Sequence, residues 1–357
     1  MIHAYGWSET LQQAFAPLRA EGLIPGRVVV QQRGLYELVT DLGELSAQIS
    51  GRFAHDAGPG GYPAVGDWVA AAARPAERAA TIHALLPRRT AFVRKAAFSV
   101  ADEQVVAANV DVAFLVASMN ADLNLRRLER YLATAWQSGA EPVVVLTKAD
   151  LAEDPEADLA AAESVAFGTP VLAVSAVTGE GMDALAERLK PGETAVLVGS
   201  SGVGKSTLVN ALAGEELMAT AAIREDDAHG RHTTTHRELI RLPSGALILD
   251  TPGMRELGLY DAGDGLSATF EDVEALIADC RFNDCGHTNE PGCAVRGALD
   301  DGSLDPGRWK SFQKLQRELA HQERKEDPVA REAYRKRWIA VSKFNRARLK
   351  AEGRVKR

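Results

Sequence analysis

Gly199-Ser200-Ser201-Gly202-Val203-Gly204-Lys205-Ser206 decides the fold of this chain, and what stands ahead of it decides the order of that fold. An apolar run, Ala195–Val198, leads into it, and a helix-forming run, Lys205–Leu212, follows. That is the strand–loop–helix context a phosphate-cradling loop requires. Glycines 199, 202 and 204 let backbone N–H groups turn inward on phosphate oxygens, and the helix N-terminus adds favourable potential for the same anion. Lys205 is placed for the β- and γ-phosphates and the Ser206 hydroxyl for Mg²⁺, while Ser200, Ser201, Val203 and Thr207 complete the cradle. Upstream stands Thr147-Lys148-Ala149-Asp150, which reads as the segment that selects guanine. An ordinary small GTPase carries these two motifs in the opposite order. A GTPase domain cut and rejoined at a new place gives the order found here.

The remaining parts of such a site follow at strand ends. Asp250-Thr251-Pro252-Gly253 closes the run Ala246–Leu249, with Asp250 placed for a water on Mg²⁺ and the Gly253 amide for the γ-phosphate. Between the loop and this turn lies Gly230-Arg231-His232-Thr233-Thr234-Thr235-His236, a Thr-rich stretch expected to close on Mg²⁺ and the γ-phosphate through Thr235, with Thr234 as the alternative. Asp150 can accept from both the ring N–H and the exocyclic amine of guanine, a pairing adenine cannot return. A site built on such pairing rejects the wrong base because its polar groups would be left unsatisfied. Lys148 is expected to pack over the base, beside Ala149. Ser175-Ala176, after Val171–Val174, fits the guanine oxygen. The set specifies GTP or GDP. Many GTPases place a Gln after the Gly of the acidic turn to orient the attacking water, and here Met254 stands there. Intrinsic turnover is therefore expected to be slow. His232 is the internal candidate for orienting the water, against the reading of a loop histidine with no catalytic part.

Around this block the composition is that of an ordinary soluble protein, with 46% hydrophobic and 25% charged residues. No apolar run reaches membrane-spanning length and no secretion pattern opens the chain, so no membrane partner and a cytoplasmic location are expected. Short β-type runs at Arg27–Gln31, Leu35–Thr40, Leu45–Ile49, Gly66–Ala70 and Thr81–Leu85 predict a five-stranded barrel, for which the OB-fold is the commonest choice. Strands alternating with helices from about Val105 to Leu259 predict an open α/β sheet, whose functional loops lie at the C-terminal ends of its strands. The formal net charge is −8, yet from Arg331 onward eleven Lys or Arg face only Glu332 and Glu352. That asymmetry points to a polyanion reached through the C-terminus; a solvated helix ending in a basic tail is the plainer alternative.

All three cysteines, Cys280, Cys285 and Cys293, fall in one fourteen-residue window with His287. Three thiolates and an imidazole satisfy a closed tetrahedral zinc site, structural because no ligand position stays open. So small and polar a segment is expected to need the metal in order to fold.

Together these residues resemble the ribosome-small-subunit-dependent GTPases, the circularly permuted RsgA-type family. The likeness runs from about Gly26 and includes Val65-Gly66-Asp67-Trp68-Val69, Ala107-Ala108-Asn109-Val110-Asp111, the nucleotide motifs, Cys280-Arg281-Phe282-Asn283-Asp284-Cys285-Gly286-His287 and Glu290-Pro291-Gly292-Cys293. It implies an N-terminal segment and OB-fold over residues 1–98, a permuted GTPase domain over 99–265, and a zinc-bearing domain with basic helices over 266–357. It also implies a late role in maturing the small ribosomal subunit, contact with its rRNA, and hydrolysis stimulated by that subunit. A single copy of the chain is expected to act. Thr147 stands where the family usually has Asn, which is expected to weaken a hydrogen bond tethering the loops. Two rivals differ in class. A GTPase coupled to RNA modification would need a second catalytic constellation, and none appears. A GTP-sensing RNA-binding adaptor with negligible turnover is the reading that Met254 raises.

Overall fold

The computed structural model describes residues 1–32, 34–58, 60–95, 103–119, 123–218, 237–250 and 263–326. The predicted Thr-rich stretch with His232, Thr234 and Thr235, the turn residues Gly253 and Met254, and the basic tail lie outside them.

The N-terminal unit is a closed barrel of five strands: Ile24–Gln32 (β1), Leu35–Thr40 (β2), Gly43–Ile49 (β3), Trp68–Arg74 (β4) and Ala79–Leu85 (β5). Their order is β1-β2-β3-β5-β4, and β4 pairs back on β1. A parallel pairing of β3 with β5, Ser46↔Ala79 to Ile49↔Ile82, makes this possible, because a short helix, Gly51–Asp56 (α2), carries the chain away from β3 before β4 begins. Alternation along β3 turns Leu45 and Ala47 inward and their neighbours to solvent, the period-two pattern of a half-buried strand. The OB-type barrel expected from the sequence is present, with each strand within a few residues of its predicted place.

The first twenty residues, which carry no motif, cover the face of β4 and β5 that bears Trp68, Ala70 and Leu86, opposite the one that Val69 and Ala71 turn to the barrel core. Ser8 caps helix α1 (Glu9–Arg19) by accepting from the Leu11 amide at 3.3 Å. Its apolar face sets Phe15 against Trp7, and Trp7 meets the barrel residue Trp68 edge-to-face at 4.9 Å between centroids. Burying side chains of this size contributes about 1.5–3 kcal/mol each.

The second unit is an α/β sheet of Val112–Ser118 (β8), Glu141–Thr147 (β9), Val171–Ala173 (β10), Thr194–Val198 (β11), Arg237–Arg241 (β12) and Leu247–Asp250 (β13), in the order β10-β9-β8-β11-β13-β12. All neighbours are parallel except β12 with β13. A hairpin, Ala91–Lys95 (β6) with Glu103–Ala108 (β7), connects barrel to sheet. Helix α3, Leu125–Ser138, is capped by the Asn124 side chain and ended by Gly139 in the left-handed region, and buries Leu128, Tyr131, Leu132 and Ala135 on the sheet. Pro155–Glu163 (α4), Met182–Ala186 (α5) and Lys205–Ala213 (α6) complete the unit.

The two sheets are one. Strand β1 pairs antiparallel with β12 through Val30↔Glu238 and Gln31↔Arg237, so eleven strands run without a break from β10 into the barrel. Arg27 locks the joint. Its buried guanidinium donates to Thr194 Oγ1 at 2.7 Å, to the carbonyls of Gly66 and Asn109 at 3.3 Å each, and to the Tyr5 carbonyl. Burial lowers its pKa to about 10.

Among the described residues the C-terminal block holds four helices: Gly263–Thr269 (α7), Glu271–Ala278 (α8), Ala294–Asp301 (α9) and Pro306–Glu326 (α10). Phe270, Val273, Val295, Leu304, Phe312 and Leu315 form its core.

Candidate functional site

The phosphate loop joins the end of β11 to the start of α6 at the C-terminal edge of the sheet. Gly202 and Gly204 stand at φ +81° and +93°, the left-handed region that glycine enters without a Cβ penalty. Gly199 is needed for another reason. A Cβ there would lie 2.4 Å from the Val116 carbonyl of β8. Lys205 Nζ donates to the Gly199 carbonyl at 2.7 Å and to that of Ser200, which holds the amine over the loop. Ser206 and Thr207 occupy the first turn of α6, Ser206 half-buried and Thr207 exposed, while Val203 is buried.

Thr147 and Lys148 tie the guanine segment to this loop. Thr147 Oγ1 donates to the Val203 carbonyl at 2.5 Å, and Lys148 Nζ to the Gly202 carbonyl at 2.9 Å. The tether expected to weaken with Thr in place of Asn is therefore made: a β-branched hydroxyl on a strand end reaches as far as the adjoining loop carbonyl. Lys148 itself takes φ +60°. The next residue's amide, Ala149 N–H, donates to the Val174 carbonyl at 3.2 Å, placing Asp150 and Ser175-Ala176 side by side at the ends of β9 and β10. Asp150 is exposed at this edge. Ser175 is fully buried, its Oγ accepting from the Val177 and Thr178 amides at 3.3 and 3.1 Å to shape the turn. Asp250 ends β13, two strands from β8. A cavity of about 460 Å³ lies at the opposite ends of the strands, among Asp111, Glu141, Lys190 and Glu193. It mixes charges of both signs and lacks a glycine cradle, so it is no rival for the phosphates.

Two residues of the joint segments noted in the sequence turn out to be structural. Asp67, fully buried, accepts two bonds from Arg88 at 2.7 and 2.8 Å and one from the Ala64 amide. Asn109 links Arg89 and Gly66 through its side chain.

The Cys/His cluster sits where α8 ends and α9 begins. Donor atoms of Cys280, Cys285, His287 and Cys293 all lie within 4.8 Å of one another. Cys280 Sγ is 3.9 Å from Cys293 Sγ, and His287 Nδ1 is 3.5 and 3.6 Å from those two sulfurs. Tetrahedral zinc with bonds of about 2.3 Å to sulfur and 2.0 Å to nitrogen requires edges of about 3.8 and 3.5 Å, so the donor set fits that ion. Trp309 of α10 packs edge-on to the His287 ring at 5.5 Å. Glu290 organises the loop between His287 and Cys293. Its carboxylate accepts from the amides of Thr288 (2.8 Å), Asn289 (2.9 Å) and Gly286 (3.1 Å), and these backbone bonds, that of Thr288 foremost, hold its pKa down to about 2. Arg308 was silent in the sequence. From α10 it grips Asp272 at 2.6 and 2.8 Å, the Thr269 carbonyl at 2.9 Å and, on helix α3, Glu129 at 3.1 Å. Only the long-range packing reveals such residues.

Known proteins share this architecture. The RsgA GTPase family matches residues 85–260. A small ribosomal subunit biogenesis GTPase RsgA from Opitutus terrae is 48% identical, covering 99% of each chain. One from Streptomyces coelicolor is 47% identical over 98% of this chain and 95% of its own. Among solved structures, YjeQ from Thermotoga maritima superposes with a TM-score of 0.62 at 26% identity, covering 83% of this chain and 98% of that one. YloQ, a circularly permuted GTPase, gives 0.59 over 84% and 96% at 24% identity, a likeness of fold. With its permuted strand order, OB-type barrel and near full-length identity to these relatives, the chain belongs to the RsgA family of circularly permuted GTPases.

Proposed function

We propose that this GTPase acts late in the assembly of the small ribosomal subunit, contacting rRNA through the barrel and the basic tail, with GTP hydrolysis stimulated by that subunit. What supports the reading is the pair of bonds Thr147–Val203 and Lys148–Gly202, which join the Thr147–Asp150 segment to the Gly199–Ser206 loop, in a chain similar over nearly its whole length to small-subunit biogenesis factors. In this reading the residues 199–207 cradle the phosphates, Lys148, Ala149, Asp150, Ser175 and Ala176 receive the base, and Ser206, Thr235 and Asp250 serve Mg²⁺. Gly253 meets the γ-phosphate, and His232 orients the attacking water. Mg²⁺ would neutralise the β- and γ-oxygens during transfer. Zinc on Cys280, Cys285, His287 and Cys293 is structural. The chain works as a single copy in the cytoplasm, in three parts spanning 1–98, 99–265 and 266–357. Among the described residues no helix is long and apolar enough to cross a membrane.

GTP turnover with and without purified small subunits tests this, together with sedimentation in a non-hydrolysable GTP analogue. Stimulation and co-sedimentation with the small subunit are expected; no stimulation, or binding to the large subunit alone, would sink the reading. Full stimulated turnover in His232→Ala would remove the role given to that residue.

A further inference from the structure

Helix α3 touches the phosphate loop at one end and the C-terminal block along its length. In its first turn the Arg127 guanidinium donates to Ser200 Oγ, on the same residue whose carbonyl receives the Lys205 amine. Arg126, next to it, bonds Glu129 at 2.6 Å and reaches Asp305 at the start of α10. One turn on, Arg130 makes a two-pronged pair with Glu318 of α10 at 2.7 and 3.0 Å. Further along, α7 lies so near that a Cβ on Gly265 would fall 2.1 Å from the Ala133 carbonyl, and the Gly265 amide donates to Gln137 Oε1 at 3.1 Å. These contacts recur every three or four residues, so they form one face of the helix.

Glu129 lies at the centre of that face and is fully buried. Its Oε1 is shared by Arg126 and by Arg308 of α10. Sliding α3 against α10 would strip a buried carboxylate of a cation, which makes the pair resist separation. The helix therefore has a fixed grip on the C-terminal block and a guanidinium on the phosphate loop.

We propose that α3 couples nucleotide occupancy of the phosphate loop to the seating of the C-terminal block, with Arg127 as the positioning residue at the loop end. The inference rests on the guanine-nucleotide reading of that loop. A nucleotide that shifts Ser200 shifts Arg127, and the rigid face carries the change to α10. Linkage makes the effect reciprocal: the seated block must alter nucleotide affinity by the same factor.

A double-mutant cycle on the full chain with Mg²⁺ tests it, reading the Kd of a fluorescent GDP and of a non-hydrolysable GTP analogue. The variants are Arg127→Ala, Arg308→Met and their combination, with Glu318→Gln replacing Arg308→Met where that protein does not fold. Coupling of about fivefold or more is expected between the two sites, with Arg127→Lys retaining part of it. Additive effects overturn the proposal. Hydrogen exchange supplies the second readout: exchanging GDP for the analogue should change protection in α10 of the unaltered protein and leave it unchanged in Arg127→Ala. Identical α10 exchange with both nucleotides in the unaltered protein would also overturn it. Failure of the unaltered protein to bind either nucleotide would instead refute the reading of the loop.

Discussion

One hydroxyl and one amine join the Thr147–Asp150 segment to the glycine-rich loop. Thr147 Oγ1 on the Val203 carbonyl is a neutral, well-shielded bond, of a kind that contributes about 1 kcal/mol net. Thr147→Val keeps the branch and deletes the donor, so nucleotide release should accelerate roughly fivefold, a change measurable by stopped-flow. Thr147→Asn should restore the slow rate. Asp150→Asn should cost far more for GTP than for a xanthine nucleotide, since it exchanges an acceptor for a donor where the base amine docks. Equal losses for both bases would remove Asp150 from the base contact. Glu290 is the third such residue. With its carboxyl pKa held near 2 against an ordinary value of 4.5, its contribution is fully present above pH 4.5 and is lost as the pH falls through about 2. Glu290→Ala should lower zinc affinity by about tenfold in a competition titration, as is usual for groups that fix ligand orientation.

At the level of elements, the joint between barrel and sheet depends on close backbone approach. Gly66 has φ +91°, and a Cβ on it would lie 2.1 Å from the Ala108 carbonyl. Gly66→Ala should therefore lower the thermal midpoint by several degrees, corresponding to about 2 kcal/mol or more. Gly22, at φ +76° with nothing within 4 Å, is the control: Gly22→Ala should carry only the backbone cost of about 1 kcal/mol. Strands β1 to β5, β10, β11 and β13 and helix α6 were legible because period and turn residues are local signals. Ser175 and Thr147 were legible as positions at strand ends, though not their bonds. The packing of Trp7 and Phe15 beside Trp68 was not legible, since nothing local marks a short amphipathic helix as the cover of a barrel's outer wall. Arg27 was hidden for the same reason. A buried guanidinium satisfied by a hydroxyl and three carbonyls from four distant segments leaves no pattern in sequence.

For the whole molecule, the continuous sheet and the Arg27 lock make barrel and GTPase unit one mechanical body, whereas the C-terminal block leans on a cluster of four metal-donor side chains. Strong chelation should melt α8 and α9 first, seen as lost protection in hydrogen exchange, while β1 to β13 keep theirs. Simultaneous loss across the barrel would contradict that division. The sequence displayed the permutation through motif order alone, but the fusion of two sheets was invisible in it, because strand pairing between remote segments has no local signature. That fusion has a further consequence. In an open sheet the last strand presents a row of unpaired amides and carbonyls, a template for stray strands and for aggregation. Here β12 would be that strand, and β1 covers its first two residues, Arg237 and Glu238; at the far side β10 offers only Val171–Ala173. The described sheet thus has only a short rim at either side. Rims this short leave little for a stray strand to pair with, so recognition falls to loops and faces.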